Sequence, residues 1–515
     1  MSTHSPHLHG CGCCTSRCIS TNMNRRLFMG GVGASVVGTL GYSAVSAIGA
    51  NPDPVRYEPT AKALRVQPVL VYDTPKRREG VSWRSWGAIQ TEQDAADERT
   101  RIESELSTLK DRAEFAVDIL PMISLKTTEE AQKVSKGDHD VLLMYPAGGW
   151  VNVLEALTNP EKWTIIFLRH RSGPVYLWYE IISNRYLRKT VDEFGQPGVD
   201  TQDVVVDKPE EVLWRLRALA GLKNTMGKKI VCVGGPSGWG VGGQKAPELT
   251  RKRFGMDLID VSYDELAVRI RNAQENRTMV KWCNEQADQY IQSENTTLET
   301  DQEFVRRCFF LNEVFHELLY EHQTDAITIN LCMGTIMEVS GTTACLPLTL
   351  LNDDGYLAFC ESDFVVIPSG VLLHYICGKP VFLQDPTYPH DNLVTLAHCT
   401  APRKMDGETI EPAQIMTHFE SDWGAAPKVE MALGQNVTVI DPDFNFERWM
   451  GFEAEIVDNP FMDICRSQID VQFHCDTDEL NEKTTGFHWM LSYGNYLKEC
   501  EYAVRKSGMQ WLTLS

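Results

Sequence analysis

Short apolar runs alternate with longer amphipathic stretches over the first two thirds of the chain. LRVQPVLVYDT (64–74) reads as a buried strand. The charged stretch 91–110 that follows reads as a helix with Ile102, Leu106 and Leu109 on one face. FAVDILPMIS (115–124), HDVLLMYPAGG (139–149) and KWTIIFLRH (162–170) are further strand candidates, and PEEVLWRLRALAGL (209–222) is a helix that closes the unit. Continuously apolar strands separated by helices predict a parallel sheet covered on both faces. The pattern then repeats. KKIVCV (228–233), MDLIDV (256–261) and DAITINLCMG (325–334) are strand candidates, and Ser262, with Glu265 three residues on, marks a helix start. Residues 300–322 form a long helix whose buried face carries Phe304, Cys308, Leu311, Phe315 and Leu318.

Beyond about residue 343 the apolar runs shorten and turns multiply. KVEMALGQNVTVIDPD and FERWMGFEAEIVDN read as β-strands joined by Gly, Asn and Asp turns. The expected fold class is α/β: two Rossmann-like α/β units, 61–225 and 226–343, followed by a mainly β, barrel-like C-terminal domain, 344–515. Helices are expected near the start and the end of that last domain.

At 515 residues the chain has room for several domains. A formal net charge of -21 carries no basic footprint, so nucleic acid is not an expected partner. The 15 Cys have no framework spacing in the body of the chain. Cys232, Cys332, Cys345, Cys360 and Cys377 sit in apolar runs and read as small buried hydrophobes rather than a disulfide scaffold.

The first fifty residues change the picture of where the protein works. NRRLFM at 24–29 precedes an uncharged, Gly- and Ala-rich apolar segment that ends in small residues near Ala47 or Ala50. This is the layout of a twin-arginine signal, too weakly apolar for a stable membrane span. It is expected to fill 1–50, with the Pro-rich linker NPDPVRYEPT at 51–60. A bacterial protein of periplasmic or otherwise exported location follows, with the twin-arginine export machinery as a partner. The leader before it holds His4, His7, His9, Cys11, Cys13, Cys14 and Cys18 in no zinc-module spacing, and Met23 offers an alternative start.

Two stretches can carry chemistry. The glycine-rich loop after KKIVCV, Gly234 to Gly243, fits neither a P-loop nor the dinucleotide fingerprint, and reads as a loop at the carboxyl end of a sheet strand beside a substrate. A nucleotide-dependent enzyme using this loop ranks last among the readings. The stronger stretch runs from 352 to 402. Glu361 follows YLAFC, Asp385 follows PVFLQ and His398 follows LVTLA, so three strand ends each deliver one ligand-type side chain. Singly, each carboxylate reads as a cap or turn residue; together they read as a site for a hard divalent ion. His390, Tyr388 and Asp391 border the same stretch, within expected reach of a substrate. His316, His322 and His374 lie in helical apolar surroundings and read as structural.

LLNDDGYLAFCESD, GKPVFLQDPTY, DNLVTLAHC and the late segment TGFHWMLSYGNYLKECEYAVRKSGMQW resemble the metal-binding core of the L-fucose isomerase and L-arabinose isomerase superfamily. The resemblance implies that Glu361 and Asp385 bind the metal and act as the catalytic acids, and that His398 and His488 complete the ligand set. It implies Mn²⁺, or Mg²⁺ or Co²⁺ in its place. The implied activity is that of a sugar ketol-isomerase converting an aldose, a pentose or deoxyhexose, to a ketose through an ene-diol. A small-molecule sugar substrate and a homo-oligomer with sites near subunit contacts complete the expectation. Two positions depart from the pattern: Ser362 replaces the usual glycine, and Trp489 stands where a second histidine is common. Because such isomerases work on intracellular sugars, the export signal also supports an alternative: an exported carbohydrate-binding or other carbohydrate-processing protein on the same scaffold, without isomerase activity.

Overall fold

Thr91 opens the first long helix, Glu92–Arg112, with a capping box in which its side chain accepts from the backbone N–H of Asp94 and Asp94 bonds back. Ile102, Leu106 and Leu109 are buried along it as their spacing predicts. The computed structural model describes residues 56–176, 186–187 and 195–515. The export-signal region at 1–50 and the first half of the linker lie outside the described residues. Among the described residues, no helix is long and apolar enough to cross a membrane.

The first sheet is all parallel. It comprises β1 (Leu64–Val71), β2 (Val117–Ile119), β3 (Ile123–Leu125), β4 (Val141–Pro146), β5 (Trp163–Leu168) and β6 (Val204–Val206), in the order β2-β1-β4-β5-β6 with β3 also paired to β1. FAVDILPMIS therefore yields two short strands rather than one. Leu120 donates to Val66 O at 2.9 Å, and Pro121, which has no N–H to give, divides the run. The helix Pro209–Thr225, with Pro at its first turn, follows this sheet.

The second sheet is also parallel, with β7 (Lys229–Val233), β8 (Asp257–Val261), β10 (Ala326–Ile329) and β11 (Leu357–Phe359) in the order β11-β10-β7-β8. The helix Gln302–His322 starts at Asp301, whose side chain accepts from Glu303 N, and buries Cys308, Leu311, Phe315 and Leu318. Phe304 is only half-buried and packs edge-on against Trp423 with ring centroids 4.6 Å apart. The sheet crosses residue 343, where the sequence texture changes, because β11 belongs to it. Glu361 consequently hangs from the second sheet.

β9 (Thr296–Leu298) joins β14 (Ala413–His418) and β15 (Trp423–Val429) in a small mixed sheet. The remaining strands are β12 (Phe382–Pro386), β13 (Leu393–His398), β16 (Asn436–Pro442), β17 (Arg448–Asp458), β18 (Ser467–Phe473), β19 (Trp489–Tyr493) and β20 (Gln510–Thr513). Six of them close into an antiparallel barrel, β16-β19-β12-β13-β18-β17 and back to β16, and β20 adds in parallel outside β17. The barrel expected from the C-terminal texture is present. Closure leaves no unpaired edge along the ring. Its interior packs Phe382, Val394, Leu396, Val439, Phe452, Val471 and Trp489. The two sheets and the barrel belong to one compact unit, Pro52–Ser515.

Candidate metal centre

The chain leaves β11 through Glu361 and Ser362, both in left-handed backbone conformation (φ 62° and 47°). A left-handed conformation is strained for residues with a Cβ and marks a turn the fold insists on. The next residue, Asp363, anchors that turn. Its Oδ1 accepts from Trp239 N at 3.1 Å and Val365 N at 3.0 Å. Ser237 N donates to Ser362 O at 3.2 Å and Phe364 N to Ser237 O at 3.1 Å, so the glycine-rich loop is stitched to this segment. That loop does leave the carboxyl end of a parallel strand, β7, the edge at which open α/β sheets bind ligands.

Asp385 stands on β12 between the two barrel strands that deliver the imidazoles. Gln384 pairs with Trp489 across β12–β19, so the next rung sets Asp385 beside His488. Asp385 pairs with Ala397 across β12–β13, next to His398. The four expected residues do converge. His488 Nε2 lies 3.1 Å from Asp385 Oδ1 and 3.5 Å from Glu361 Oε2. His398 Nε2 lies 3.9 Å from Glu361 Oε1 and 4.0 Å from Asp385 Oδ2.

Both imidazoles are buried, and their far nitrogens are engaged. His488 Nδ1 is 2.7 Å from Asp363 Oδ2, and His398 Nδ1 is 3.2 Å from Thr400 Oγ1. A carboxylate only accepts, so Asp363 fixes the proton of His488 on Nδ1 and leaves Nε2 facing the acids. His398 Nε2 is buried without a hydrogen-bond partner, and His488 Nε2, equally buried, is paired with Asp385 Oδ1. Two buried imidazole nitrogens aimed at two carboxylates fit a divalent cation, and the mixed oxygen and nitrogen donors suit Mn²⁺ or a similar ion. Ligand atoms of Glu361, His398 and His488 lie within 4.8 Å of one another.

The electrostatics follow from the same contacts. Burial alone lowers the His488 pKa, but the hydrogen bonds to Asp363 and Asp385 and the charges of both carboxylates outweigh it and hold the ring at about 10. Burial keeps His398 below the ordinary imidazole value against the pull of Asp385 and Glu361. For Asp385, burial acts upward, and His488 and His398 overcome it to hold the carboxyl low.

An aromatic wall borders the cluster. Trp239 and Phe487 stack with centroids 4.6 Å apart and planes at 25°, and both remain about 40% exposed. Phe487 also meets His488 edge-on at 4.8 Å. Asp363, Trp239 and Phe487 were not singled out by the ligand pattern; the glycine cluster before Gly243 was the only signal pointing to Trp239.

Tyr388, His390 and Asp391 are not gathered into the cluster. They sit on a hairpin whose turn residues Asp391 and Asn392 both have positive φ, and His390 Nδ1 is 3.1 Å from Tyr388 O. Among the helical histidines, His374 Nδ1 bonds Lys379 O at 2.8 Å, whereas His316 is buried with neither ring nitrogen partnered. Trp489 turns away from the cluster into the barrel core, 5.6 Å from Phe452, so its side chain occupies no ligand position.

In comparisons with known proteins, neither a family model nor a curated protein sequence matches this chain.

Proposed function

We propose that the chain is a metal-dependent sugar isomerase-like enzyme that converts an aldose, a pentose or deoxyhexose, to the ketose through an ene-diol. The observation that carries this reading is the convergence of the buried Nε2 atoms of His398 and His488 on the carboxylates of Glu361 and Asp385. These four residues would hold Mn²⁺, Mg²⁺ or Co²⁺. Such an ion supplies Lewis-acid polarisation of a carbonyl and offsets negative charge that develops on its oxygen.

The protein's own groups do the rest. Glu361 and Asp385 lie on different supports, one at the sheet edge and one on the barrel, and so approach a bound sugar from two directions. One carboxylate takes the proton from carbon and the other passes a proton to oxygen. Asp363 holds the His488 tautomer. Trp239 and Phe487 offer apolar faces suited to the C–H face of a sugar. We read the two α/β units as Rossmann-like supports for this edge. On the same reading the protein acts as a homo-oligomer in the periplasm, exported folded by the twin-arginine route.

The test is metal analysis of the purified protein followed by assay against a panel of aldoses with Mn²⁺. Ketose formation by the wild type, with Glu361→Gln abolishing both turnover and most Mn²⁺ binding, is the expected result. A protein that binds sugar with no metal and no turnover would support the alternative, an exported carbohydrate-binding protein.

A further inference from the structure

We propose that Cys332 and Cys360 form an oxidation-sensitive dithiol whose closure to a disulfide withdraws Glu361 from the metal centre. The two cysteines follow the carboxyl ends of β10 and β11, which are hydrogen-bonded neighbours. Their sulfurs are 3.3 Å apart, and both lie with a Glu361 oxygen inside a 4.8 Å cluster. Cys360 directly precedes Glu361 in the chain, so any displacement of one is transmitted through a single peptide to the other.

The spacing favours a disulfide over a shared soft ion. Two thiolates on a tetrahedral zinc, each at about 2.3 Å, stand roughly 3.8 Å apart. The observed separation is shorter and needs only about 1.3 Å of further closure to reach the S–S bond of about 2.0 Å. Access is provided on one side. Cys332 is half-buried, between Leu331 and Met333, which are 58% and 49% exposed. Leu331 itself has φ 56°, so the segment bearing Cys332 already turns out of the strand direction.

The chemistry closes with a peroxide as the oxidant. The Cys332 thiolate attacks one peroxide oxygen; the S–O bond forms, the O–O bond breaks and, with a proton, the first water leaves. The Cys360 sulfur then attacks Sγ of Cys332. The S–S bond forms, the S–O bond breaks, and the hydroxide takes the Cys360 thiol proton to leave as the second water. Two thiols are oxidised and one peroxide is reduced. Metal ligands must be held within about 0.5 Å of their working positions. A closure of this size beside Glu361 exceeds that tolerance.

The consequence for metal binding rests on the metal-centre reading above; the dithiol chemistry does not. Full-length protein is treated with one equivalent of hydrogen peroxide, mapped by non-reducing peptide mass spectrometry and titrated with Mn²⁺ before and after. Cys345, Cys399 and Cys465 form a second thiol group beside His398, so the linkage map is required in place of a thiol count. The expected result is a 332–360 cross-link with loss of two hydrogens and at least a tenfold fall in Mn²⁺ affinity. Dithiothreitol restores the affinity, and Cys332→Ser is insensitive to the peroxide. Absence of that cross-link, or a cross-link with unchanged Mn²⁺ affinity, overturns the proposal. If untreated protein binds no Mn²⁺, the metal-centre reading and the switch both fall, and the linkage map still decides whether the dithiol forms.

Discussion

Asp363 and His488, 125 residues apart in sequence, meet through a 2.7 Å hydrogen bond between Oδ2 and Nδ1. The bond has the form of the carboxylate–histidine pairs that orient metal-binding imidazoles. Asp363→Asn replaces the charge while leaving Oδ1 able to accept from Trp239 and Val365. The expected outcome is a 10- to 100-fold loss of metal affinity, of the size such partners typically contribute. Calorimetric titration with Mn²⁺ alongside circular dichroism checks it; unchanged affinity in a folded variant would show that His488 needs no orienting partner.

Metal binding should release a proton. With its pKa held at about 10 in the metal-free protein, His488 is protonated at neutral pH, and a cation takes Nε2 only after that proton leaves. Apparent affinity therefore rises by about tenfold per pH unit below pH 10 from this group. Calorimetry at pH 7 in buffers of different ionisation enthalpy reads the number released. A value near zero contradicts the assignment of His488 as a ligand.

Ser362 is fully buried, left-handed in backbone and has an unpartnered hydroxyl. Ser362→Gly removes the strain and the unpaired oxygen at the cost of greater freedom in the unfolded chain. The balance favours the variant by about 1 kcal/mol. Its thermal midpoint should exceed that of wild type; a lower one would mean that the Ser362 side chain has packing the strain argument omits.

Asp441 supplies the pH test of stability. It is fully buried, and accepts from Thr485 N at 2.8 Å and Gly486 N at 2.7 Å. Burial outweighs those bonds and raises its pKa to about 7. A carboxyl raised on folding contributes stability that is complete below about pH 4 and lost as pH climbs through 7. The contribution is on the order of 2–4 kcal/mol. Asp441→Asn loses one acceptor, so it should be less stable than wild type at pH 5, and the gap should narrow by pH 8. Urea unfolding at the two values reads the difference.

The parallel sheets and their helices were legible because burial on both faces writes continuous apolar runs, as in LRVQPVLV, and amphipathic spacing, as in Ile102, Leu106 and Leu109. The barrel was legible only as texture, since its closure depends on β16 meeting both β17 and β19, a pairing no local pattern encodes. Glu361, just past β11, and Asp385 and His398, which lie within β12 and at the end of β13 rather than after them, announced themselves by charge beside apolar runs. Asp363 did not, because its partner is distant and its neighbour Glu361 already explained an acid there. Trp489 misled in the other direction: adjacent in sequence to the candidate ligand His488, it faces the barrel core because strand neighbours alternate. The thiol pair was hidden for the same reason as the barrel, being created by two strand ends that only the sheet brings together.

The supply of candidate ligands from both the second sheet and the barrel sets an order in time. During synthesis Glu361 and Asp363 emerge first, and His488 follows only after 125 further residues beyond Asp363. A nascent chain stopped before His488 already carries Glu361, Asp385 and His398, but leaves Asp363 without its imidazole partner. The bond that orients His488 therefore forms only when nearly the whole polypeptide has been made, whatever the earlier residues have already gathered.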